Sequence, residues 1–447
     1  MNKQNNCHFG LIEYFVRICV IFLCAILLFS IFAEQTTAFS SFVSETTAFF
    51  LLTIIAAYLL FKDKRLLFFF GIAFIIKLGI GVWHYVTFID PNYFSSAGES
   101  NFLHHEYQAV FQFLRDTAYE KEQMGLLHFK NDGYITHQEI LSIIAIPFYF
   151  FGVKMLGIAP INTFFSLFAA MNVFLISNRF FVDFKKRSFF LILMAYFPAT
   201  LLTDLFFRDI VGWSVMSLGL AMMYISKTTL EKFVSMLLAI PLFYLQRNGY
   251  AVIPILMLFA DFVFFSKQKN IIIIILSIIA TIVLIPIAYD FVANEATDSY
   301  LEGATKWPIY LLPIKIIFGL IGPFPWTNFL LYDKIPEVSF YLGDYIMAIF
   351  NISILMCLLK VGRKSINRNT TDMTFVLGII LLMMGIMNEY MHMTYISIGV
   401  FFLVPWVVKI IEPHTMKRNF IISFTLLLLL NLLVVMLGIG GMSSVVK

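Results

Sequence analysis

Residues 85–138 read YVTFIDPNYFSSAGESNFLHHEYQAVFQFLRDTAYEKEQMGLLHFKNDGYITHQ, the one long polar interval in an otherwise apolar chain. Asp90-Pro91-Asn92-Tyr93 opens it, and Glu99, His104-His105-Glu106-Tyr107 and Arg115-Asp116 follow. A charged patch, Glu120-Lys121-Glu122, precedes the closing Asp132-Gly133-Tyr134 and His137. A connection of this length between apolar runs exceeds what joining two helices needs, which points to function or to disorder. Its aromatic content argues against disorder.

Outward from this stretch, composition sets the class. The 447 residues are 60% hydrophobic and only 13% charged, and the mean hydropathy is +0.87. So few charges cannot cover the exterior of a soluble domain, so the chain reads as a polytopic membrane protein. With 52 Phe against 23 Gly and no alternating strand pattern, the expectation is all-α, a helical bundle rather than a barrel. Cys7, Cys19, Cys24 and Cys357 fall in or near apolar runs or at the N-terminus, which leaves no outward pair for a disulfide and no zinc spacing. A net charge of +4 is too small to imply nucleic acid as a partner.

Spans need about twenty apolar residues, and Lys/Arg clusters mark the cytoplasmic side. Three runs precede the polar stretch: Ile12–Phe32, which has no cleavage site and reads as an uncleaved first span, Thr46–Phe61 and Leu66–Tyr85. Six follow at Ile158–Ser177, Phe189–Thr203, Asp209–Ile225, Phe233–Tyr244, Tyr250–Phe265 and Ile271–Ile287. The last group starts near Tyr341 and continues through Thr374–Met387, Thr394–Val408 and Asn419–Leu437. The total is about 12 to 14 spans with the N-terminus cytoplasmic, because Lys62, Lys64 and Arg65, Lys185-Lys186-Arg187, and Lys227 with Lys232 then lie on one side.

Two apolar segments do not fit a simple crossing. Ile140–Gly152 is short and holds Pro147, which suits an interfacial or re-entrant helix. If it crossed instead, the Lys185-Lys186-Arg187 triplet would fall outside, so the basic clusters favour the first option. Trp307–Gly322 carries Pro308, Pro313 and Lys315; read as re-entrant, it makes 290–340 a second outward stretch facing 85–138. No repeat of fixed period appears, and a single integral membrane domain, 1–447, accounts for the chain.

Candidate chemistry gathers on the outward side. Arg115, Arg208 and Arg247 stand there, where the topology rule does not explain them. Arg208 in Phe207-Arg208-Asp209, and Arg247 in Gln246-Arg247-Asn248, occupy successive outward junctions and offer planar forks for phosphate oxygens. Equally, Arg208 could pair with Asp204 or Asp209, and Arg247 could be a snorkelling side chain. Asp90, Glu99 and Glu106 are candidates for a general base that accepts the proton of an attacking hydroxyl, and Asp132 adds a fourth carboxylate. Such a face could also be solvated or paired with Arg115. His105, next to His104 and Glu106, gives only a weak metal signal, since adjacent helical residues point apart; no metal site is assigned, though a divalent ion remains compatible. Lys306, Trp307 and Trp326 belong to the second stretch, where the tryptophans could stack on a sugar ring or sit as interfacial belt residues.

These pieces in this order resemble the membrane-embedded glycosyltransferases of the GT-C type and the related bacterial O-antigen-type polysaccharide polymerases. The resemblance rests on the early outward stretch, Asp132-Gly133-Tyr134 leading through Pro147 to Phe151-Gly152, Tyr196-Phe197-Pro198 ahead of Phe207-Arg208-Asp209, Gln246-Arg247, and Gly322-Pro323-Phe324-Pro325-Trp326. It implies a multi-pass protein of the bacterial inner membrane with an extracytoplasmic active site. It further implies an acidic residue of the first outward loop as base, basic residues holding the phosphate of a polyprenyl-linked glycan, and polysaccharide-assembly proteins and membrane lipid as partners. The chain departs from the simplest pattern in placing two spans before those that flank the loop, and in lacking a paired Asp-Asp or Asp-Glu there.

Two other classes fit parts of the sequence. A polysaccharide-related transporter or flippase would use ionisable groups inside apolar runs, for which Lys77 and Lys315 are candidates, with Asp261 nearer a span end. A non-catalytic scaffold or an acyltransferase-like protein is the third class; an acyltransferase would carry an essential histidine, and His84 and His392, the two that could be argued, have no supporting neighbours.

Overall fold

The helix boundaries follow from polar residues that close the ends of apolar runs. A computed structural model of the chain describes residues 10–33, 37–84, 105–130, 138–178, 181, 183–201, 207–261, 335–360, 373–387 and 393–436. Fourteen α-helices are described: α1 Leu11–Phe32, α2 Ala38–Phe61, α3 Lys64–His84, α4 His105–Met124, α5 Gln138–Phe151, α6 Ile158–Ser177, α7 Phe184–Ala195, α8 Phe207–Ile225, α9 Thr229–Gln246, α10 Ile253–Ala260, α11 Ile335–Lys360, α12 Met373–Met387, α13 Met393–Ile410 and α14 Pro413–Met436. Among the described residues every element is an α-helix or a short 3-10 turn.

Capping moves three of these starts well ahead of the apolar runs. A capping box at Thr37 and Ser40 starts α2 at Ala38 rather than at Thr46, because each side chain satisfies an orphan N–H of the first turn. Thr228 and Glu231 do the same for α9, and the Asp183 side chain accepts from Lys185 N–H at 3.1 Å to start α7. Lys62 closes α2 in the left-handed region with φ 52, its N–H bonded to the Tyr58 carbonyl at 2.9 Å. Within the polar stretch, residues 105–124 form a full helix, amphipathic rather than membrane-spanning, with Phe113, Leu114, Thr117 and Ala118 buried and Arg115 and Tyr119 exposed.

Five of the described helices are long and apolar enough to cross a membrane: Leu11–Phe32, Phe39–Phe61, Lys64–Trp83, Ile158–Ser177 and Thr229–Gln246. Six shorter apolar helices accompany them, among them Glu139–Phe151 and Asp209–Ile225. A membrane protein built of helices follows from these. The stretch read as a re-entrant helix within 290–340 lies outside the described residues.

The chain divides into two compact units, one of residues 1–176 and 200–251, the other of 177–199 and 252–447. In the first unit α2 and α6 run parallel, since Phe49 meets Phe164 with ring centres 5.6 Å apart and Phe61 meets Phe174 at 5.5 Å. α1 runs against both: Phe29, late in it, touches Phe49 at 5.1 Å, and Tyr14, early in it, donates to Asn172 Oδ1 at 2.8 Å.

The direction of α8 comes from α5. Asn172 donates to Ser217 Oγ at 3.1 Å, which sets the middle of α8 level with the late part of α6. The two ends of α5 are also fixed. Its Phe151 carbonyl accepts from Ser41 Oγ, in the first turn of α2, at 2.5 Å, and Ile140 packs beside Gly212 in the early part of α8. Were α8 reversed, those anchor points would lie roughly 30 Å apart, whereas the 14 residues of α5 reach about 21 Å. So α2, α6 and α8 begin at the same end of the unit. α5 reaches from the first turn of α2 to Gly212 in the second turn of α8.

In the second unit α12 and α13 form the closest pair. A Cβ on Gly399 would come within 2.5 Å of the Leu382 backbone nitrogen and one on Gly378 within 2.6 Å of Leu403 Cγ. A buried polar seam ties α11 to its neighbours: Asn351 donates to Ser397 Oγ on α13 at 3.1 Å, and Ser353 to Ser423 Oγ on α14 at 3.2 Å. Bonds of this kind between membrane helices contribute about 0.6 kcal/mol each, so they set register more than stability.

Candidate functional site

The end of the first unit where α2, α6 and α8 begin collects buried polar side chains from six segments. Glu45 on α2 is fully buried and Lys154, between α5 and α6, is 5% exposed. Lys154 Nζ donates to Ser41 Oγ at 2.6 Å and to the Phe151 carbonyl at 2.9 Å, and stands 3.5 Å from Glu45 Oε2. Glu45 Oε1 has no hydrogen-bond partner. Gly157 makes room for this carboxylate, because a Cβ there would come within 2.8 Å of Oε2. On α3, buried Lys77 donates to Thr200 Oγ1.

The third element of this layer joins α8 to α9. Asp209, in the first turn of α8, is 7% exposed and Gln246, the last residue of α9, is 2% exposed; Gln246 Nε2 donates to Asp209 Oδ1 at 3.1 Å. The antiparallel pairing of the two helices continues below, where Gly219 faces Ala239 and Phe243. Arg208 precedes Asp209 in the chain and Arg247 follows Gln246, so the bond brings two arginine-bearing chain positions to one place. Arg247 ends α9 in extended conformation, its N–H bonded to the Phe243 carbonyl at 3.3 Å and its carbonyl accepting from Tyr250 at 2.8 Å.

The opposite end of the unit is basic. Lys62, Lys64, Arg65 and Lys227 lie at helix ends there, and Arg17 donates to the Leu59 carbonyl and to Glu13. The buried layer therefore belongs to the end away from the basic cluster.

α4 carries a separate, solvent-facing charge network. Lys130 Nζ stands 3.0 Å from Glu120 and 4.0 Å from Asp116, His128 Nε2 lies 3.2 Å from Glu120, and Arg115 lies 3.6 Å from Asp116. Arg115, Asp116, Tyr119, Glu120 and Lys130 line an open depression of about 390 Å³. Lys121 caps the segment that follows, donating to the Leu126 and His128 carbonyls at 2.9 and 2.6 Å, and burial pushes its ammonium below the ordinary value. Burial works to raise the Glu120 carboxyl, but bonds and charge from Lys130 and His128 outweigh it and hold the group below its usual range. The network is nearly balanced in charge, which makes it a clasp for the loop after α4 before it is a ligand site.

Of the residues singled out from sequence, Asp209 lies in the buried layer bonded to Gln246, which precedes Arg247 in the chain, and position 208 adjoins it. Arg115 sits on the exposed face of α4, and His105 and Glu106 belong to that helix's first turn. Asp90, Glu99, Asp132, Lys306 and Trp326 lie outside the described residues, as do Asp204 and Lys315. Sequence reading passed over Glu45, Lys154, Ser41, Gly212 and the role of Gln246. Glu45 carried a usable signal, a carboxylate inside a run otherwise apolar enough to span a bilayer. Lys154 and Gly212 carried none without the fold.

No group of three or more His, Cys, Asp or Glu side chains able to hold a metal occurs among the described residues. The chain matches no protein-family model, no curated protein and no solved structure.

Proposed function

We propose that this chain is a membrane glycosyltransferase or polymerase of bacterial surface polysaccharide. It takes a sugar or glycan linked to a polyprenyl phosphate or diphosphate at the extracytoplasmic face of the inner membrane. The observation that carries the reading is the Asp209–Gln246 bond, which joins chain positions 208 and 247 at one end of the bundle. Guanidinium groups offer planar forks of donors that suit phosphate oxygens. The first turn of α8 adds the positive end of a helix dipole. The orientation follows from Lys62, Lys64, Arg65 and Lys227 at the opposite end, which makes that end cytoplasmic and leaves the N-terminus inside.

In this mechanism the leaving diphosphate is held by Arg208 and Arg247. A carboxylate of the polar stretch, Asp90, Glu99 or Glu106, accepts the proton of the attacking hydroxyl as its oxygen bonds to the anomeric carbon. His105, Arg115, Asp132, Lys306 and Trp326 contact the glycan. The number of spans stands at about 12 to 14 in this account. The test is a gel profile of surface glycan from a strain lacking the chain, complemented with wild type, Glu99→Gln, Glu106→Gln or Arg208→Ala. Glycan lost on deletion and left unrestored by Arg208→Ala and one carboxylate variant supports the reading; unchanged glycan on deletion removes it. A lost ladder indicates a polymerase, and a repeat unit short of one sugar a single transferase.

A second reading is favoured by the burial of Lys77 at 2% and Glu45 at 0% exposure, since ionisable groups inside a membrane bundle mark the pathways of transporters. A polysaccharide-related flippase would lose function on Lys77→Met and tolerate substitution of the outward carboxylates.

A further inference from the structure

We propose that Gln246 is a positioning residue, seated in a slot that Gly212 leaves open, and that it sets positions 208 and 247 at the spacing one diphosphate group requires. This rests on the reading that the layer binds a lipid-linked phosphate donor, and it narrows that donor to a diphosphate.

The slot is visible in the geometry. A Cβ built on Gly212 would stand 1.2 Å from Gln246 Oε1 and 2.3 Å from its Cδ, with Ile140 Cδ1 of α5 3.1 Å away. The amide thus fills the volume that any side chain at 212 would take. Its Nε2 donates to Asp209 Oδ1, which leaves Oε1 facing Gly212. Oε1 is buried with no hydrogen-bond partner, and leaving such an acceptor unsatisfied costs energy that a leucine in the same slot would not. Packing alone therefore does not account for glutamine here. What the amide supplies and a leucine lacks is the bond to Asp209.

That bond crosses from the last residue of α9 to the first turn of α8, one residue from each arginine. Two phosphoryl groups joined through one oxygen present their charges at a fixed separation, so guanidinium groups on different helices serve both only if the helix ends hold a fixed register. Displacement of such groups by an ångström can cost a hundredfold in a well-ordered site. A monophosphate, needing one cation at a time, makes no such demand.

The experiment uses the full chain in nanodiscs and titrates farnesyl diphosphate and farnesyl monophosphate against wild type, Gly212→Ala, Gln246→Leu and the two combined, with melting temperatures recorded alongside. Gly212→Ala keeps every polar group and only displaces the amide; Gln246→Leu keeps the volume and only removes the bond. The expected result is a loss of at least tenfold in diphosphate affinity for each variant, monophosphate affinity within twofold of wild type, and a combined variant no weaker than the worse single. Equal effects on both ligands, or no effect on either, overturn the positioning role. If wild type and these variants bind the diphosphate alike while Arg208→Ala does not bind it, the positioning role falls and the donor site stands. If wild type binds neither ligand, the donor site falls with it.

Discussion

The Glu45–Lys154 pair is withdrawn from solvent, an arrangement that carries a desolvation cost. Lys154 is held in addition by Ser41 Oγ and the Phe151 carbonyl. Removing one member of a buried pair strands the other, at about 3–5 kcal/mol, whereas replacing both by apolar residues of similar volume is often neutral. Lys154→Met alone should therefore sharply lower the melting temperature in detergent, and Glu45→Leu combined with Lys154→Met should recover most of it. On α4, Glu120 gives a pH dependence with a definite sign. Its folded-state pKa lies below the ordinary glutamate value of 4.5, so its stabilising contribution is complete above that value and is lost as the pH falls through the lower, folded one. Hydrogen-exchange protection of residues 126–130 should hold down to about pH 4.5 and decline below it, and Glu120→Gln should remove the dependence.

Among elements, the α12–α13 pair depends on two glycines. At Gly399 the obstruction is the Leu382 backbone, which cannot rotate away as a side chain can, while at Gly378 it is the Leu403 side chain. Gly399→Ala should cost about 1–3 kcal/mol as overpacking and Gly378→Ala less, a ranking that thermal unfolding of the two variants would check. The apolar cores of these helices were readable from sequence, and α6 was found at its observed bounds, Ile158–Ser177. Starts set by caps were not: α2 opens with Ser40, Ser41, Ser44 and Glu45, which read as loop until Lys154 is brought beside Glu45 by the fold. α7 likewise includes Lys185, Lys186 and Arg187, which apolar periodicity excludes. The helix inside residues 85–138 was hidden for a related reason, since its buried stripe of Phe113, Leu114, Thr117 and Ala118 is narrow and covered by α5. At the site, Arg208, Asp209 and Arg247 could be named from sequence, but their approach depends on the antiparallel pairing of α8 with α9, which no local pattern encodes.

For the whole molecule, the separation of the basic end from the buried polar layer makes a claim about sidedness. In a background without native cysteines, single cysteines at Ser40, Asn131 and Val153 should react with an impermeant thiol reagent added to intact cells, while those at Asp63 and Lys227 should react only after permeabilisation. Asn131 and Val153 flank α5, so their reaction from the same side is what a helix that does not cross requires; reaction from opposite sides would mean that it does. The central claim concerns chemistry rather than placement, and it is tested most directly by reconstituting the purified chain in liposomes with a polyprenyl-diphosphate-linked glycan and following the lipid by mass spectrometry. The account predicts release of free polyprenyl diphosphate with growth of the glycan, abolished by Arg208→Ala or Arg247→Ala. Movement of intact glycolipid from one leaflet to the other, with no broken sugar–phosphate bond, would contradict it and identify a carrier instead.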